Sequence, residues 1–295
     1  MRIAYLILAH AHPQQLARLL ARLQAPQVRC YLHIDANTPS AVHAEIVAAA
    51  DRVASPDRVR FIARRPCRWG GYSLVAATLD LLHAARADGF DWAILLSGQD
   101  YPLVSHAALC ERLATPGVAG WIDLHSAAEF DVGYRWQRWH PEGLHGSLAG
   151  KCWQRLQRAA QACGWQRRLP HPLQEIRAGS QWWMLSSAAV DTVLAQCVHY
   201  PAVPAFFRHT LVPDEMMFQT LLWHSPLREQ LSGDPLRLID WTPGAWSPRT
   251  LGLDDLPQLR RSAALFARKF APDGLLAAAL DEQLGIDLTV CKPRP

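Results

Sequence analysis

Short apolar blocks separated by helical periodicity organise the first hundred residues. Ile3 to Ala9 is a continuous apolar run that ends at His10, the pattern of a buried strand. Leu16, Leu19, Leu20 and Leu23 follow at i, i+3, i+4 and i+7, one apolar helix face. Cys30-Tyr31-Leu32-His33-Ile34-Asp35 reads as a second strand with a polar tip, so the opening is a strand–helix–strand unit. A short strand near Val59–Ile62 leads into Trp69-Gly70-Gly71-Tyr72-Ser73, a helix is expected from about Leu74 to Ala87, and Trp92–Ser97 is a buried strand running into Gly98-Gln99-Asp100-Tyr101-Pro102-Leu103. This alternation predicts the α/β class. Ligands in open α/β sheets sit at the carboxyl ends of the strands, so Asp35, the Trp69-Gly70-Gly71 turn and Asp100 are expected to share one crevice.

The pattern weakens over residues 126–172, where Trp136, Trp139, Trp153 and Trp165 stand among arginines, glycines and histidines without clear periodicity. That stretch is expected to be an irregular insertion, shaping a binding surface, in a single domain covering residues 1–295. Order returns with a strand over Ser180–Leu185 and a helix whose face carries Val190, Val193, Leu194 and Cys197 behind a Ser186 or Ser187 cap. Pro213-Asp214-Glu215 reads as the first turn of a helix. A strand at Leu236–Asp240, a loop through Pro243, Gly244 and Pro248-Arg249-Thr250, and helices over about Leu256–Phe270 and Leu275–Leu284 complete the reading.

Composition narrows the function. Half of the 295 residues are hydrophobic and the net charge is +4, so the chain is globular, with no basic run of the kind that binds nucleic acid. Phosphate-bearing small molecules remain compatible. Seven cysteines show no CxxC pairing, the apolar start is too short for a signal peptide, and no apolar run reaches about 18 residues; the expectation is a cytoplasmic protein with reduced thiols.

Several residues carry candidate chemistry. Glu215 is a candidate general base, against the alternative of a solvated acid at a helix start. Asp100, at a strand end, is the competing base. Asp35-Ala36-Asn37 and Asp123-Leu124-His125 are degenerate relatives of the Asp-x-Asp motif, and no metal is expected. Lys269 is conspicuous because the only other lysines are Lys151 and Lys292. His33 and Asp35 share a strand face suited to a nucleoside. Trp69, beside two glycines, is a candidate nucleotide wall or a core residue, and one of Trp182 and Trp183 is expected to face sugar.

Taken together, Leu6–His10, His33-Ile34-Asp35, Trp69–Ser73, Leu96–Leu103, Gly179-Ser180-Gln181-Trp182-Trp183, Pro213-Asp214-Glu215 and Leu265–Phe270 resemble the core-2/I-branching β-1,6-N-acetylglucosaminyltransferase and peptide O-xylosyltransferase family, in family order and in a short bacterial-type form. The resemblance implies a GT-A-like, Rossmann-like fold and an inverting, metal-independent transferase. It would move xylose, N-acetylglucosamine or glucuronic acid from a UDP-sugar to a glycan or glycolipid hydroxyl. By the same resemblance Glu215 is the base and Arg249 with Lys269 holds the diphosphate; His10, Asp35 and Trp69 are the further donor-side candidates. No cofactor beyond the donor is implied. The absence of the eukaryotic membrane anchor and disulfide cysteines suggests a cytoplasmic enzyme in peripheral contact with the inner membrane face. A binding protein without turnover and a metal-dependent transferase using Asp123 and His125 are the rival readings.

Overall fold

The computed structural model describes residues 1–126, 129–242, 244–245 and 247–286. Pro243, Cys291 and Lys292 therefore lie outside the described residues. The chain divides into two compact units: Met1–Arg65, Leu81–Val118 and Leu236 onward form the first, and Pro66–Asp80 with Ala119–Pro235 the second.

The first unit is built on parallel strands. Ile3–Ala9 lies between Val28–Ile34 and Trp92–Ser97, and Val59–Phe61 pairs with the outer side of Val28–Ile34. Running from the edge, these strands are third, second, first and fourth in chain order, the Rossmann-type arrangement of an α/β protein. The two inner strands are apolar almost throughout because both faces are covered, and Leu6, Ile7, Leu32, Ile94 and Leu95 are fully buried. The helix Pro13–Arg22 buries Leu16, Leu19 and Leu20, as its spacing demands. A three-stranded sheet joins Arg237–Ile239, Phe266–Arg268 and Asp100–Pro102, with Arg268 opposite Asp100.

The second unit holds Gly120–Trp121 between Met184–Ser186 and Leu231–Ser232, a hairpin-like pair of His125–Ser126 with Arg177–Ala178, and the helices Leu148–Ala162, Ser187–His199 and Met217–Trp223. Ser186 caps Ser187–His199, its hydroxyl accepting from Ala189 N at 3.3 Å.

Four expectations need correction. The helix expected to Phe270 stops at Arg261, and its apolar second half forms the strand Phe266–Arg268 because Phe266 and Ala267 fill a buried ladder between two neighbours. The expected Ser180–Leu185 strand begins only at Met184 and runs to Ser186. Pro213–Glu215 is a 3-10 turn entered through Val212 in the left-handed region, and the α-helix starts two residues beyond Glu215, at Met217. The supposedly irregular stretch contains a helix of 15 residues, Leu148–Ala162. The helix Ser40–Val53 escaped the periodicity because it buries only Ile46, Ala49 and Ala50.

Candidate active site

In the first unit the strand order reverses direction between Ile3–Ala9 and Trp92–Ser97, the position where open α/β sheets bind ligands. Gly98 N donates to Leu8 O and Asp35 N to Ala9 O, each at 3.0 Å. A side chain on Gly98 would place its Cβ 3.1 Å from that of Ala9, so glycine lets these strand ends close up. His10 is exposed at this end, and its carbonyl accepts from Thr38 Oγ1 at 3.1 Å. Asp35 is half-buried, with Oδ1 accepting from Asn37 N at 2.8 Å. Burial lowers the His10 pKa, opposed by Asp35 and aided by His12, Lys269 and Arg268. His10, Asp35 and Lys269 thus belong to one electrostatic neighbourhood. His33 points elsewhere: it is buried and its Nε2 accepts from Arg65 N at 2.9 Å.

Asp100 is fully buried and saturated. Oδ1 accepts from Ser97 Oγ at 2.8 Å and pairs with Arg268 at 3.0 Å; Oδ2 accepts from Ser97 N at 3.1 Å and pairs with Arg237 at 3.2 Å. Arg237 is equally buried, which pulls its pKa down to about 10 despite Asp100. Arg268 also donates to Ser97 Oγ. This arrangement ties the strand Trp92–Ser97 to the three-stranded sheet and leaves Asp100 no open edge for a substrate hydroxyl.

Lys269 follows the strand Phe266–Arg268 and is half-buried, and among the described residues no carboxylate lies within ion-pair distance of it. Burial, then Arg268, lowers its pKa. Such a cation is suited to an incoming anion, which would restore its ordinary affinity for a proton. Arg249 is placed differently. Its guanidinium forks between Asp240 Oδ2, at 2.6 and 2.9 Å, and Asp255, at 2.6 and 2.9 Å.

The second unit carries the other cluster. Glu215 Oε2 is 2.8 Å from Arg135 Nη1, with the two side chains 29% and 18% exposed. Burial raises the Glu215 pKa; Arg135 opposes this and Asp123 reinforces it. A raised pKa in a half-open carboxylate suits a group that must accept a proton and later release it. The neighbouring Asp214 is buried, and burial followed by Glu215 pushes it up to about 7. Among the described residues its Oδ1 has no hydrogen-bond partner.

Backbone ties hold Glu215 in place. Gly179 N donates to Glu215 O at 3.0 Å, while a Cβ on Gly179 would come within 2.2 Å of Asp123 O, so only glycine passes between the two segments. Asp123 Oδ2 accepts from Ser180 N at 2.9 Å and Oδ1 pairs with His125 Nε2 at 2.8 Å; the His125 ring stacks on Phe130. Among the described residues no group of three or more His, Cys, Asp or Glu side chains gathers as a metal site. Val212 N donates to Gly70 O at 2.8 Å, joining the Trp69 turn to the Glu215 segment, and Trp69 is 66% exposed. Trp182 and Trp183 are both buried, and Trp183 packs on Phe218 with ring centroids 5.3 Å apart. Neither lies open to solvent as a sugar platform would.

The expected residues therefore fall into two groups, His10, Asp35, Asp100, Arg249 and Lys269 in the first unit and Trp69, Trp182, Trp183 and Glu215 in the second. Sequence reasoning passed over Arg135, Arg237 and Glu142. The Glu142 carboxylate accepts from Ser73 N at 3.1 Å and from Ser73 Oγ, and a Cβ on Gly71 would be 2.3 Å from it. Arg135 and Arg237 had no local signal, since each partner is 80 or more positions away.

The first unit is thus a Rossmann-type α/β unit that carries Asp35, and a lysine with no carboxylate partner among the described residues, and the second bears a glutamate held by an arginine. The model of the core-2/I-branching enzyme family matches residues 3–260, and the chain belongs to that family. It is similar to xylosyltransferase 2 of Canis lupus familiaris, 28% identical over 81% of this chain and 26% of that protein. It is also similar to the beta-glucuronosyltransferase GlcAT14B of Arabidopsis thaliana, 27% identical over 96% of this chain and 66% of that protein. The chain thus spans about a quarter to a third of the length of the xylosyltransferases it matches. A putative glucose-1-phosphate thymidylyltransferase from Bacillus anthracis aligns with a TM-score of 0.30 at 9% identity, covering 68% of this chain and 78% of that one.

Proposed function

We propose that the protein is an inverting glycosyltransferase of GT-A-like fold. It transfers a sugar of the xylose or glucuronic acid type, or N-acetylglucosamine, from a UDP-sugar to a hydroxyl of a glycan or glycolipid. The observation that carries this reading is Glu215, a half-buried carboxylate with a raised pKa held by Arg135 in a member of this family. In the reaction Glu215 takes the acceptor hydroxyl proton as that oxygen attacks the anomeric carbon. The bond from that carbon to the diphosphate breaks, its electron pair leaves with UDP, and the configuration inverts.

Lys269 offsets the charge of the departing diphosphate without a metal ion, as a fixed cation can. Arg249 joins it only by opening one of its two carboxylate pairs, so Lys269 has the larger role. His10 and Asp35 serve the nucleoside, and Trp69 offers an exposed aromatic face to a ring. Asp100 is an anchor for the strand ends.

The test is a thermal-shift titration with UDP and a panel of UDP-sugars, with and without EDTA, on wild type and Lys269→Ala. A ligand that binds only the folded state raises the melting temperature. Stabilisation of the wild type equal in EDTA and lost in Lys269→Ala is expected. A shift that requires metal would move the assignment to a metal-dependent transferase through the Asp123–His125 pair, and no shift with any uridine ligand would reject the donor. Slow UDP-sugar hydrolysis that disappears in Glu215→Gln separates an enzyme from a silent binding protein.

A further inference from the structure

The helix Leu148–Ala162 has its amphipathicity turned inside out. Its glutamines face the protein: Gln157 Oε1 accepts from Trp139 N at 3.2 Å, Gln154 Nε2 donates to Trp139 O at 3.2 Å, and Gln161 bonds both Arg138 and Gln137, at 2.8 and 3.1 Å. Apart from Trp153, which bonds inward to Trp139 O at 2.9 Å, its large apolar residues face outward. At 3.6 residues per turn Leu148, Cys152, Leu156, Ala159 and Cys163 fall within an arc of about 80°. Leu148 is 80% exposed and Leu156 66%, Cys152 and Cys163 are exposed, and Trp165 beyond the helix end is 49% exposed. A soluble surface helix normally does the reverse, and contiguous exposed apolar surface marks an interface.

Charge identifies what covers it. Lys151, Arg155 and Arg158 are exposed along one flank of the stripe, and among the described residues none of them has an acidic partner. Between Glu142 and Glu175 the sequence contains five lysines and arginines and no aspartate or glutamate. A second copy of the helix laid on this face would set like charges beside like. A leucine and tryptophan stripe flanked by one sign of positive charge is the pattern of a helix that lies in a bilayer interface rich in anionic lipid. No described helix is long and apolar enough to cross the membrane, so the contact is with its surface.

We infer that the helix Leu148–Ala162, with Trp165, is a docking surface for an anionic lipid bilayer, its leucine stripe entering the interface and Lys151, Arg155 and Arg158 meeting the headgroups. This inference does not rest on the transferase reading and stands or falls separately from it.

The full chain is sedimented with vesicles of phosphatidylcholine alone and of equal parts phosphatidylcholine and phosphatidylglycerol, at low and high salt. Wild type is expected to partition onto the anionic vesicles and to leave them in high salt. Leu148→Glu with Leu156→Glu, and separately Arg155→Gln with Arg158→Gln, are expected to lower partitioning by roughly tenfold or more while the melting temperature and its shift by UDP stay at wild-type values. The altered side chains are on the solvent face, so folding is preserved. Absence of wild-type binding to anionic vesicles, or equal binding by the variants, overturns the inference. So does a solution dimer that the leucine variant splits, which would assign the face to a second copy of the chain.

Discussion

Asp100→Asn and Glu215→Gln each remove one negative charge at nearly constant shape, and the surroundings of the two carboxylates give the changes different consequences. Asp100 and Arg237 are both completely buried at 3.2 Å, and Arg268 stands at 3.0 Å on the other oxygen. Neutralising Asp100 strands the Arg237 charge in the interior, and breaking a buried pair from one side costs about 3–5 kcal/mol. The asparagine NH2 also turns a donor toward a guanidinium. At roughly 2–4 °C per kcal/mol for a chain of this size, the melting temperature should fall by on the order of 6–20 °C. The Glu215–Arg135 pair is partly solvated, so Glu215→Gln should cost about 1 kcal/mol or less in stability. It should nevertheless lower turnover by about 10²–10⁴, the usual contribution of a general base. Differential scanning fluorimetry and a UDP-release assay run well below the lower melting point read both effects. The reasoning fails if Asp100→Asn melts with wild type yet is inactive, which would make Asp100 the base, or if Glu215→Gln retains turnover, which would remove Glu215 from that role.

Three further expectations follow from the same contacts. Arg135 holds the Glu215 pKa down, so Arg135→Gln should move the acid limb of the pH–rate profile to higher pH; an unmoved limb would detach Arg135 from the base. His140 is buried with Nε2 donating to Tyr134 O at 2.9 Å and Nδ1 accepting from Gln154 at 3.2 Å, and burial lowers its pKa from 6.5 to about 4. Between those values the unfolded chain binds a proton that the folded chain does not. Stability should therefore fall by up to about 3 kcal/mol as pH drops from near 7 to 4, a slope that His140→Gln should flatten in urea titrations. Gly179→Ala would drive Cβ into Asp123 O, costing about 1–3 kcal/mol, and should depress turnover by displacing the Gly179 N contact to Glu215 O; a stable and fully active variant would show that the segment relaxes freely.

The elements legible in the sequence are those whose burial leaves one arrangement. Ile3–Ala9 and Trp92–Ser97 are central strands covered on both faces, and a continuous apolar run of that length fits little else. Leu265–Phe270 carries four apolar residues around Arg268 and Lys269, too short a run to be told from a helix end by periodicity, and its pairing with Asp100–Pro102 depends on residues more than 160 positions away. Ser40–Val53 failed for the opposite reason, since a face made largely of alanine carries almost no hydrophobic contrast.

The candidate site divides along the same line. Glu215 and Lys269 became candidates because their short neighbourhoods resemble a family pattern, whereas the charge that holds Glu215 lies far off in the chain. Arg135 controls Glu215 across 80 positions, and Arg237 decides whether Asp100 is a base or an anchor across 137. Local sequence nominates a candidate group; which charges surround it is a property of the tertiary fold. The helix Leu148–Ala162 extends that point to the surface. Its leucine spacing is visible in the sequence, but a periodic face normally implies burial, and only the hydrogen bonds of Gln154, Gln157 and Gln161 show that the polar side is the one turned inward. Amphipathic spacing therefore says that two faces differ, and the partner of each face must be read from the contacts it makes.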